Sequence, residues 1–349
     1  MSGQAAQAML APFSALYGLA ARTRIALYRR GLLSVHRIEA PVISVGNITA
    51  GGTGKTPLVA WLARNLAREG RRTCILTRGY GRANPGVRVV VSDGERLLAD
   101  ASEGGDEPRL LAEMLRGVAA VVSDADRVAA ARWAIENLRS ELFILDDGFQ
   151  HMRIARDLNI VTIDATNPWG HGRLLPRGTL REPLEGLKRA DCLIITRADQ
   201  ATEPDSLRAE AASLSGGRPV FLSRTRVVGL RLLSETEAHL NLREALDRPV
   251  AAFCAIGNPQ AFFKQLASHG VALTQTRAFA DHHIYTQSEI DSLVSDARGR
   301  GAGALVTTAK DAVKLRSLHF ELPCYVLEVE LSIDDEEGFL DQIRKAMKV

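Results

Sequence analysis

The fold is decided by Val45-Gly-Asn-Ile-Thr-Ala-Gly-Gly-Thr-Gly-Lys-Thr-Pro57. An apolar run from Pro41 to Val45 enters this stretch, and a helix-forming run from Leu58 to Ala67 leaves it. A strand, a glycine-rich turn and a helix in this order are typical of a phosphate-binding P-loop. The glycines let backbone N–H groups surround phosphate oxygens, and the helix N-terminus adds partial positive charge. The stretch therefore predicts that the chain binds a nucleoside triphosphate.

Two side chains at the end of the loop have predicted roles in this binding. Lys55 would neutralise the β- and γ-phosphates, and the Thr56 hydroxyl would bind Mg²⁺. The usual pattern has a glycine where this chain has Thr49, so an ordinary glycine-containing turn is the alternative. The predicted nucleotide contacts are Thr49, Ala50, Gly51, Gly52, Thr53, Gly54, Lys55 and Thr56.

Composition limits the class of protein. A chain of 349 residues with 46% hydrophobic content can form two domains with sizeable cores. Its net charge of +3 and the absence of arginine-rich tracts interleaved with aromatics argue against a nucleic-acid partner. The four cysteines are scattered in apolar runs without metal-type spacing, as expected of buried thiols in a reducing compartment.

The N-terminal segment carries no charged residue from Met1 to Ala21, and arginines then follow. A signal peptide would place its positive charge before the apolar stretch. The segment is also too mixed for a transmembrane helix. Two alternatives stay open at this point: an amphipathic helix lying in a membrane interface, or a helix packed on its own domain. The arginines are Arg22, Arg24, Arg29 and Arg30.

The rest of the chain alternates apolar, β-branched runs with helical patterns. This alternation predicts an α/β protein with a P-loop NTPase-type, mostly parallel sheet. A second, smaller α/β domain begins near Arg248, and the runs Arg226–Leu233 and Cys324–Leu331 are expected to join the two as a short two-stranded connection. The predicted division is an N-terminal membrane-associating segment (1–35), a kinase domain (36–223), a linker (224–247) and a second domain with a return strand and helix (248–349).

Acidic residues follow one of these strands. Asp146 and Asp147 end the apolar run Leu142–Leu145, as in the metal-binding strand that accompanies a P-loop. Carboxylates at that position bind Mg²⁺ directly or through water. A strand ending in an acidic turn is the simpler alternative.

Two further stretches carry candidate chemistry. In Glu103-Gly-Gly-Asp-Glu-Pro108, Asp106 is either a helix cap or a general base, with Glu107 beside it. In Thr166–Pro183, three arginines and Glu182 occupy a glycine- and proline-rich loop. Such a loop after a strand end suits phosphate contacts at the rim of an active site.

Seven motifs together resemble one family. They are Gly46-Asn47 with the P-loop, Arg78-Gly-Tyr-Gly81, Gly105-Asp-Glu-Pro108, Asp146-Asp-Gly-Phe-Gln-His151, Gly172-Arg-Leu-Leu-Pro-Arg-Gly178, Phe279-Ala-Asp-His-His283 and Thr307-Thr-Ala-Lys-Asp-Ala-Val-Lys314. The set is similar to the tetraacyldisaccharide 4′-kinases, the lipid A 4′-kinases of bacteria with an outer membrane. The resemblance covers roughly residues 41 to 315, and the motif ending at His151 is far more specific than the P-loop alone.

The resemblance implies an ATP- and Mg²⁺-dependent transfer of phosphate to the 4′-hydroxyl of a tetraacylated glucosamine disaccharide 1-phosphate, giving lipid IV-A. It implies a peripheral protein on the cytoplasmic face of the inner membrane, contacting lipid substrate and membrane surface, with no obligate protein partner. Asp106 would be the base, paired with His282. Lys310 and Asp311 would lie near the adenine, although Ala309 stands where the family often has an acid. The remaining implied site residues are Asp146, Asp147 and Glu182 for Mg²⁺ and phosphates, with His151, Arg181 and Asp281 nearby.

Two other functions are alternatives to this one. A membrane-associated switch or partitioning ATPase has a similar loop but a lysine just before the glycines, where this chain has Ala50. A kinase or ligase acting on a soluble small molecule would leave the N-terminal segment unexplained.

Overall fold

Short apolar, β-branched runs form the strands, and helices between them cover the sheet. The structure, a computed structural model, describes residues 9–235 and 248–347. The first part contains α1 (Ala11–Arg29), β1 (Val42–Asn47), α2 (Lys55–Arg68), β2 (Thr73–Thr77), β3 (Val89–Ser92), α3 (Ala101–Gly104), α4 (Asp106–Met114), β4 (Ala119–Ser123), α5 (Arg127–Leu138), β5 (Leu142–Asp146), β6 (Leu158–Asp164), β7 (Cys192–Thr196), α6 (Pro204–Ser215) and β8 (Val220–Leu232).

Three short 3₁₀ turns punctuate the loops of this part: Gly170–Gly172, Leu184–Arg189 and Ala198–Gln200. The chain then continues through β9 (Val250–Cys254), α7 (Pro259–Ser268), β10 (Leu273–Ala278), α8 (Gln287–Gly299), β11 (Ala304–Thr308), α9 (Ala309–Leu315), β12 (Cys324–Ile333) and α10 (Glu336–Met347). We call the part up to β7 the first unit, and β9 to β11 with their helices the second unit.

Across the described residues, all twelve strands lie in one sheet. Their order is β10-β9-β11-β12-β8-β7-β6-β1-β5-β2-β4-β3. The pairs within each unit are parallel, except that β3 runs antiparallel to β4. The P-loop strand β1 lies between β5 and β6 and is buried at all six positions, as expected of a parallel strand covered on both faces.

Strands β8 and β12 connect the two units. Residues 220–222 of β8 pair in parallel with β7, and residues 223–232 pair antiparallel with β12. A register shift between Glu328 and Val329 interrupts the second ladder, and an irregularity of this kind bends and twists a strand pair. The two units are thus joined by a two-stranded antiparallel ribbon within a continuous sheet.

The C-terminal helix α10 returns to the first unit. Phe339 is fully buried and stacks on Trp61 of α2 at 5.6 Å between ring centroids, with Phe221 at 5.2 Å. Residues 336–347 therefore pack beside α2 of the first unit, although they follow the second unit in sequence.

Helix α1 contacts the first unit along a narrow face. Ser14 and Gly18 are its buried residues, and the Ser14 hydroxyl donates to the Leu174 carbonyl. The Tyr17 hydroxyl donates to the Arg181 carbonyl at 2.9 Å. None of the described helices is both long enough and apolar enough to cross a membrane.

The predicted fold class is confirmed, including the two-stranded connection between the α/β units. The division into 1–35, 36–223, 224–247 and 248–349 stays a prediction. Parts of it lie outside the described residues, namely residues 1–8, residues 236–247 of the predicted linker, and residues 348–349.

Candidate active site

Parallel strands end at a common edge of the sheet, and a cleft of about 1100 Å³ lies there between the two units. The P-loop, the acidic turn after β5 and the loop carrying His282 all line it. Ligands of open α/β sheets bind at this edge, where the loops leaving the strands converge. The sheet therefore brings together motifs that are distant in the sequence.

The P-loop connects β1 to α2 with its glycines in conformations that favour glycine. Gly51 has φ of 109°, and Gly54, the N-cap of α2, has φ of 74°. Strands β6 and β7 hold the loop in place. Thr196 Oγ1 of β7 donates to the Thr53 carbonyl at 2.9 Å, and Thr53 Oγ1 contacts Thr162 Oγ1 of β6 at 2.9 Å. Its backbone N–H groups at the start of α2 are suited to phosphate.

The predicted nucleotide contacts divide into two groups. Residues 51–56 line the cleft. Thr49 and Ala50 do not: Thr49 forms a bridge with Leu180, and the Ala50 N–H donates to the Thr179 carbonyl at 2.6 Å. The structure therefore gives these two residues a part in holding the loop on the following segment.

Lys55 is held at the centre of the site. Its ammonium nitrogen lies 3.2 Å from Asn47 Oδ1 and 3.4 Å from Asp147 Oδ1, and its side chain is 11% exposed. Asn47 ends β1, so the lysine is oriented by the P-loop strand and faces the end of β5. A phosphate between Lys55 and the β5 turn would be bound at this position.

The two acids after β5 have different environments. Asp146 is 2% exposed, and its Oδ1 is buried without a hydrogen-bond partner among the described residues. Burial, reinforced by the Glu107 charge, raises the pKa of Asp146 to about 7. Asp147 accepts two hydrogen bonds from Arg181 Nη1 at 2.7 and 2.8 Å. Burial acts to raise its pKa, but Lys55 and Arg181 outweigh it and lower the pKa of Asp147.

An unpartnered carboxylate oxygen is the type of donor that Mg²⁺ prefers. Within residues 9–235 and 248–347, no group of three or more histidine, cysteine or acidic side chains forms a preassembled metal cage. This fits a cation held by one or two carboxylates and by substrate phosphates, as is usual for Mg²⁺ at phosphoryl-transfer sites.

Asp106 of the first unit contacts His282, which lines the cleft from the second unit. Asp106 is the first residue of α4, and its Oδ2 lies 3.3 Å from His282 Nδ1 and 3.5 Å from Lys314 Nζ. Burial acts to raise the pKa of Asp106, but the His282 hydrogen bond and the Lys314 charge lower it overall. The carboxylate is therefore ionised at neutral pH and has a histidine from the other unit as its partner.

Lys310 lies at the same end of the cleft. Its ammonium contacts Glu107 at 3.0 Å, Asp281 at 3.1 Å and His282 Nε2 at 3.4 Å. Burial acts to lower the pKa of Lys310, but the two carboxylates raise it overall. This cluster places the predicted Glu107, Asp281 and Lys310 beside the Asp106–His282 pair.

Asp311, predicted to lie near the adenine, is in the core of the second unit. It is fully buried and accepts hydrogen bonds from the Ala255 N–H, the Tyr285 hydroxyl and Thr308 Oγ1. A side chain whose oxygens are saturated by its own unit does not reach a nucleotide. The prediction of an adenine contact at Asp311 is therefore not supported, because the residue holds the start of α9 to β9.

Glu182, predicted as a metal ligand, is 2% exposed and does not line the cleft. Arg189 Nη1 donates to its Oε2 at 2.6 Å, and Gln150 Nε2 donates to its Oε1 at 2.7 Å. Gln150 also donates to the Asn47 carbonyl. In this structure Glu182 supports the P-loop strand through Gln150, and its carboxylate is already paired.

His151 lines the cleft on the side of α1. Its Nε2 is buried without a partner among the described residues. Burial, together with the charges of Arg127, Arg156 and Arg153, lowers the pKa of His151 to about 3. The imidazole is therefore neutral at physiological pH.

Several other side chains line the cleft without having been predicted individually. Arg127 donates to the Asp146 carbonyl at 2.9 Å, and Tyr80 packs on His282 at 5.2 Å between ring centroids. Arg197 donates to the Gly52 carbonyl at 3.0 Å. Arg197 directly follows β7, and a polar residue at the end of a parallel strand was the sequence feature that could have identified it. Further unpredicted lining residues are Arg78, Gln200 and Asn258.

Comparisons with known proteins show which proteins this chain is similar to. The LpxK family model, described as tetraacyldisaccharide-1-P 4′-kinase, matches residues 6–348. The tetraacyldisaccharide 4′-kinase of Geobacter metallireducens is 42% identical over 341 residues, covering 97% of this chain and 98% of the relative. That of Halothermothrix orenii is 39% identical, covering 95% and 90%. A crystal structure of LpxK from Aquifex aeolicus in complex with ATP has a TM-score of 0.79 and 33% identity, covering 98% of this chain and 99% of the other.

Proposed function

This chain belongs to the LpxK family of tetraacyldisaccharide-1-phosphate 4′-kinases, and on that basis we propose how its residues carry out the reaction. It is an ATP-dependent kinase that phosphorylates the 4′-hydroxyl of a tetraacylated glucosamine disaccharide 1-phosphate, giving lipid IV-A in lipid A biosynthesis. The observation that carries the mechanism is that Lys55 and His282 line one cleft and that Asp106 lies 3.3 Å from His282. The switch-ATPase alternative is not favoured, since the relatives are kinases.

Asp106 accepts the proton of the 4′-hydroxyl, and His282 orients Asp106. The low pKa of Asp106 keeps it ionised, and the 3.3 Å contact with His282 fixes one of its oxygens. General-base assistance of this kind contributes roughly 10²–10⁴-fold to a rate. Because the two residues come from different units, the pair is complete only while the units are in contact.

Lys55 and the P-loop N–H groups bind the β- and γ-phosphates and stabilise the charge that develops during transfer. The contact of Lys55 with Asn47 aims the ammonium toward the β5 turn. Arg181 holds Asp147 by two hydrogen bonds, so that the carboxylate stays beside Lys55. Positioning and electrostatic stabilisation of this type dominate enzymatic phosphoryl transfer.

Thr56, Asp146 and Asp147 would hold Mg²⁺, and the unpartnered Oδ1 of Asp146 supports this assignment. When bound, the cation would neutralise charge on the transferring phosphoryl group. Arg127 fixes the Asp146 main chain through its carbonyl, and Lys55 balances the Asp147 charge. Glu182 is not included in this set, because its oxygens already accept hydrogen bonds from Arg189 and Gln150.

The acceptor is a lipid, and helix α1 would bring the cleft to a membrane surface on the cytoplasmic side of the inner membrane. Phe13, Leu16 and Leu19 are each more than 60% exposed. Tyr17 and Arg24 of the same helix line the cleft. An exposed apolar stripe on a helix followed by arginines is typical of an interfacial segment.

The test is transfer of label from γ-labelled ATP, with Mg²⁺, to a tetraacylated glucosamine disaccharide 1-phosphate in detergent micelles. We expect one phosphate at the 4′ position. Lys55→Ala, Asp106→Ala and His282→Ala should each lower kcat by roughly 10²-fold or more. Matched substitutions away from the cleft, Lys345→Ala and Asp205→Ala, should leave kcat unchanged.

Two outcomes would contradict the proposal. ATP hydrolysis without lipid labelling would favour a switch ATPase. An unchanged rate of transfer in His282→Ala would remove that residue from the mechanism, while leaving the kinase function itself in place.

A further inference from the structure

The turn after β5 folds back over the end of β1. The Gly148 N–H donates to the Val45 carbonyl at 2.9 Å. Gly46 of β1 leaves room for this approach, because a Cβ on it would lie 2.6 Å from the Phe149 nitrogen. A glycine inside a strand often marks such a close approach of another backbone segment. The next residue of the turn, Gln150, is thereby placed beside the end of β1.

Gln150 uses both hydrogens of its amide on the protein. Its Nε2 donates to the Asn47 carbonyl at 2.8 Å and to Glu182 Oε1 at 2.7 Å. An amide NH₂ group has two hydrogens, so these two acceptors saturate it. Although Gln150 lines the cleft, it has no amide hydrogen left for a phosphate. A contribution of this amide to the reaction therefore passes through its two partners.

One of these partners, Glu182, is a fixed anchor. Its side chain is 2% exposed, and Arg189 donates to it from Nη1 at 2.6 Å and from Nη2 at 3.1 Å. The Arg189 guanidinium also lies 4.3 Å from the centroid of the buried Phe149 ring. Paired, charge-assisted hydrogen bonds of this type are strong and directional. Gln150 is therefore held by a buried ion pair.

The other partner, Asn47, is itself a contact of Lys55. Asn47 is fully buried at the end of β1. Its Oδ1 accepts from Lys55 Nζ at 3.2 Å, and its Nδ2 donates to the Thr49 carbonyl at 2.6 Å. Lysine carries its charge on a flexible four-carbon stem, so the place of that charge depends on such contacts. The bond from Gln150 fixes the Asn47 carbonyl, and with it the residue that holds Lys55.

We propose that Gln150 is a positioning residue for phosphoryl transfer, which acts through Asn47 to hold the Lys55 ammonium at the β- and γ-phosphates. The proposal rests on the proposed function and adds one residue to it. Displacing a group of an active site by about 1 Å can cost roughly 10²-fold in rate. A glutamine whose amide hydrogens never reach the phosphates therefore affects the chemical step.

The test compares two nucleotides that differ in the phosphates that Lys55 binds. AMP-PNP, a non-hydrolysable analogue of ATP, has β- and γ-phosphate groups, and AMP has neither. Gln150→Met keeps the volume of the side chain and removes both donated hydrogen bonds. We expect it to weaken equilibrium binding of AMP-PNP by about 5-fold, the usual effect of losing a hydrogen bond, and to leave AMP binding unchanged. In the lipid-labelling reaction its kcat should fall by about 10-fold.

A double-mutant cycle shows whether the effect passes through Lys55. In Lys55→Met protein, which has already lost the ammonium, adding Gln150→Met should cause no further loss of affinity for AMP-PNP. Additive losses would overturn the proposal, because a general structural defect does not depend on Lys55. Equal losses for AMP-PNP and AMP, or no loss for either nucleotide, would overturn it as well.

Gln287→Met is the matched control. Gln287 donates from Nε2 to a carboxylate, Asp291 Oδ1, and to a main-chain carbonyl, that of His319, both at 2.8 Å. It lies on α8 and does not line the cleft. This variant should keep the wild-type kcat and the wild-type affinity for both nucleotides. Gln150→Asn, which shortens the amide side chain by one carbon, should give the same selective loss as Gln150→Met, so the result does not depend on the stability of a single variant.

Failure of the kinase function gives a different result. In that case the wild-type protein labels no lipid, and the binding measurements, which are made without lipid, still decide the role of Gln150. A loss of AMP-PNP affinity that spares AMP and disappears in Lys55→Met protein would support that role. Any other pattern of binding would exclude it.

Discussion

Three residues of the cleft have left-handed backbone conformations without being glycine. Asp147 has φ of 48°, Arg197 of 55° and His282 of 61°. This conformation is uncommon for residues with a Cβ and persists where the surroundings enforce it. Side-chain contacts hold each of the three residues. Asp147 is bonded to Arg181, Arg197 to Gly52 and Asp164, and His282 to Asp106. The conformations of these residues are therefore part of the positioning of the site.

His151 leads to a prediction about pH and stability. Its folded pKa is about 3, whereas an unfolded histidine has a pKa near 6.5. Below pH 6.5 the unfolded chain binds a proton that the folded chain does not, so the free energy of unfolding falls as pH falls. Allowing for its partial exposure, we expect this residue to account for a loss of about 1 kcal/mol between pH 7.5 and 5.5.

Urea unfolding of wild-type and His151→Gln protein at both pH values measures this contribution. The variant should lose about 1 kcal/mol less than the wild type. His319→Gln, at an exposed histidine, serves as the control and should keep the wild-type pH dependence. An identical pH dependence in His151→Gln would show that this imidazole is protonated in the folded protein.

Helix α1 combines two features that were alternatives at the sequence level. It packs on its own domain through Ser14, Tyr17 and Gly18, and it exposes large apolar side chains on the rest of its surface. The residues on the loop after it, Leu32 and Val35, are exposed as well. An exposed apolar patch of this kind marks an interaction surface.

Replacing two of these side chains should weaken membrane binding. We expect the double variant Phe13→Asp, Leu16→Asp to bind anionic phospholipid vesicles at least 10-fold more weakly, because burying each side chain contributes roughly 1.5–3 kcal/mol. The KM for ATP should not change. Vesicle sedimentation measures the first quantity and the labelling reaction the second.

The control places the same charges on exposed apolar residues elsewhere. Val87 is 52% exposed and Leu98 is 50% exposed, and neither lies on α1. Val87→Asp, Leu98→Asp should leave vesicle binding unchanged. Equal loss in both double variants would mean that added negative charge alone, and not α1, explains the effect.

At the level of elements, apolar runs and glycine-rich turns predicted most of the fold. The apolar run from Pro41 to Val45 forms most of strand β1 (Val42–Asn47), and the run Leu142–Leu145 forms most of strand β5 (Leu142–Asp146). Periodicity succeeds there because a buried parallel strand has a simple apolar signature. The candidate base Asp106 and its partner His282 were also predicted, from the motifs that resemble the family.

The adenine contacts and the metal role of Glu182 could not be predicted from local pattern. Lys310 and Asp311 are adjacent in sequence, but at the start of α9 one side chain faces the cleft and the other faces the core. Glu182 is paired with Arg189 and with Gln150, which is 32 residues away in the sequence. Each of these cases depends on long-range packing, which a linear pattern does not contain.

On the scale of the whole molecule, the two units touch on both flanks of the cleft. On one flank, ion pairs join α4 to α9 and the residue after it: Lys310 with Glu107, Lys314 with Asp106 and Arg316 with Glu113. On the other, Gly257 lies against the P-loop, and Asn258 donates to Asp164 and Thr166. The Arg316–Glu113 pair lies outside the cleft, so it offers a way to alter the contact between units without altering the site.

Arg316→Glu should weaken the contact between the two units, because it places a glutamate beside Glu113. Placing two like charges together costs about 1 kcal/mol at such a half-exposed position, so kcat/KM for the lipid should fall by about 5-fold at low salt. The loss should shrink at high salt because the repulsion is screened. The labelling reaction at two ionic strengths measures both effects.

Arg298→Glu provides the comparison, since Arg298 pairs with Glu321 within the second unit. It makes the same change of charge without touching the boundary between units, and its kcat/KM should stay at the wild-type value. A salt-independent loss in Arg316→Glu would point to a folding defect instead of a shift between the units.

Helix α1 has one more consequence, which concerns extraction of the lipid. Tyr17 and Arg24 line the cleft while Phe13 and Leu16 of the same helix are exposed, so the cleft mouth would lie within about one helix diameter, roughly 10 Å, of the bilayer. Pulling one acyl chain of about a dozen carbons into water would cost roughly 10 kcal/mol, at about 0.8 kcal/mol per CH₂. The tetraacylated substrate has four such acyl chains. An enzyme docked at this depth would leave those chains dissolved in the bilayer and lift only the sugar, and its search for substrate would become two-dimensional.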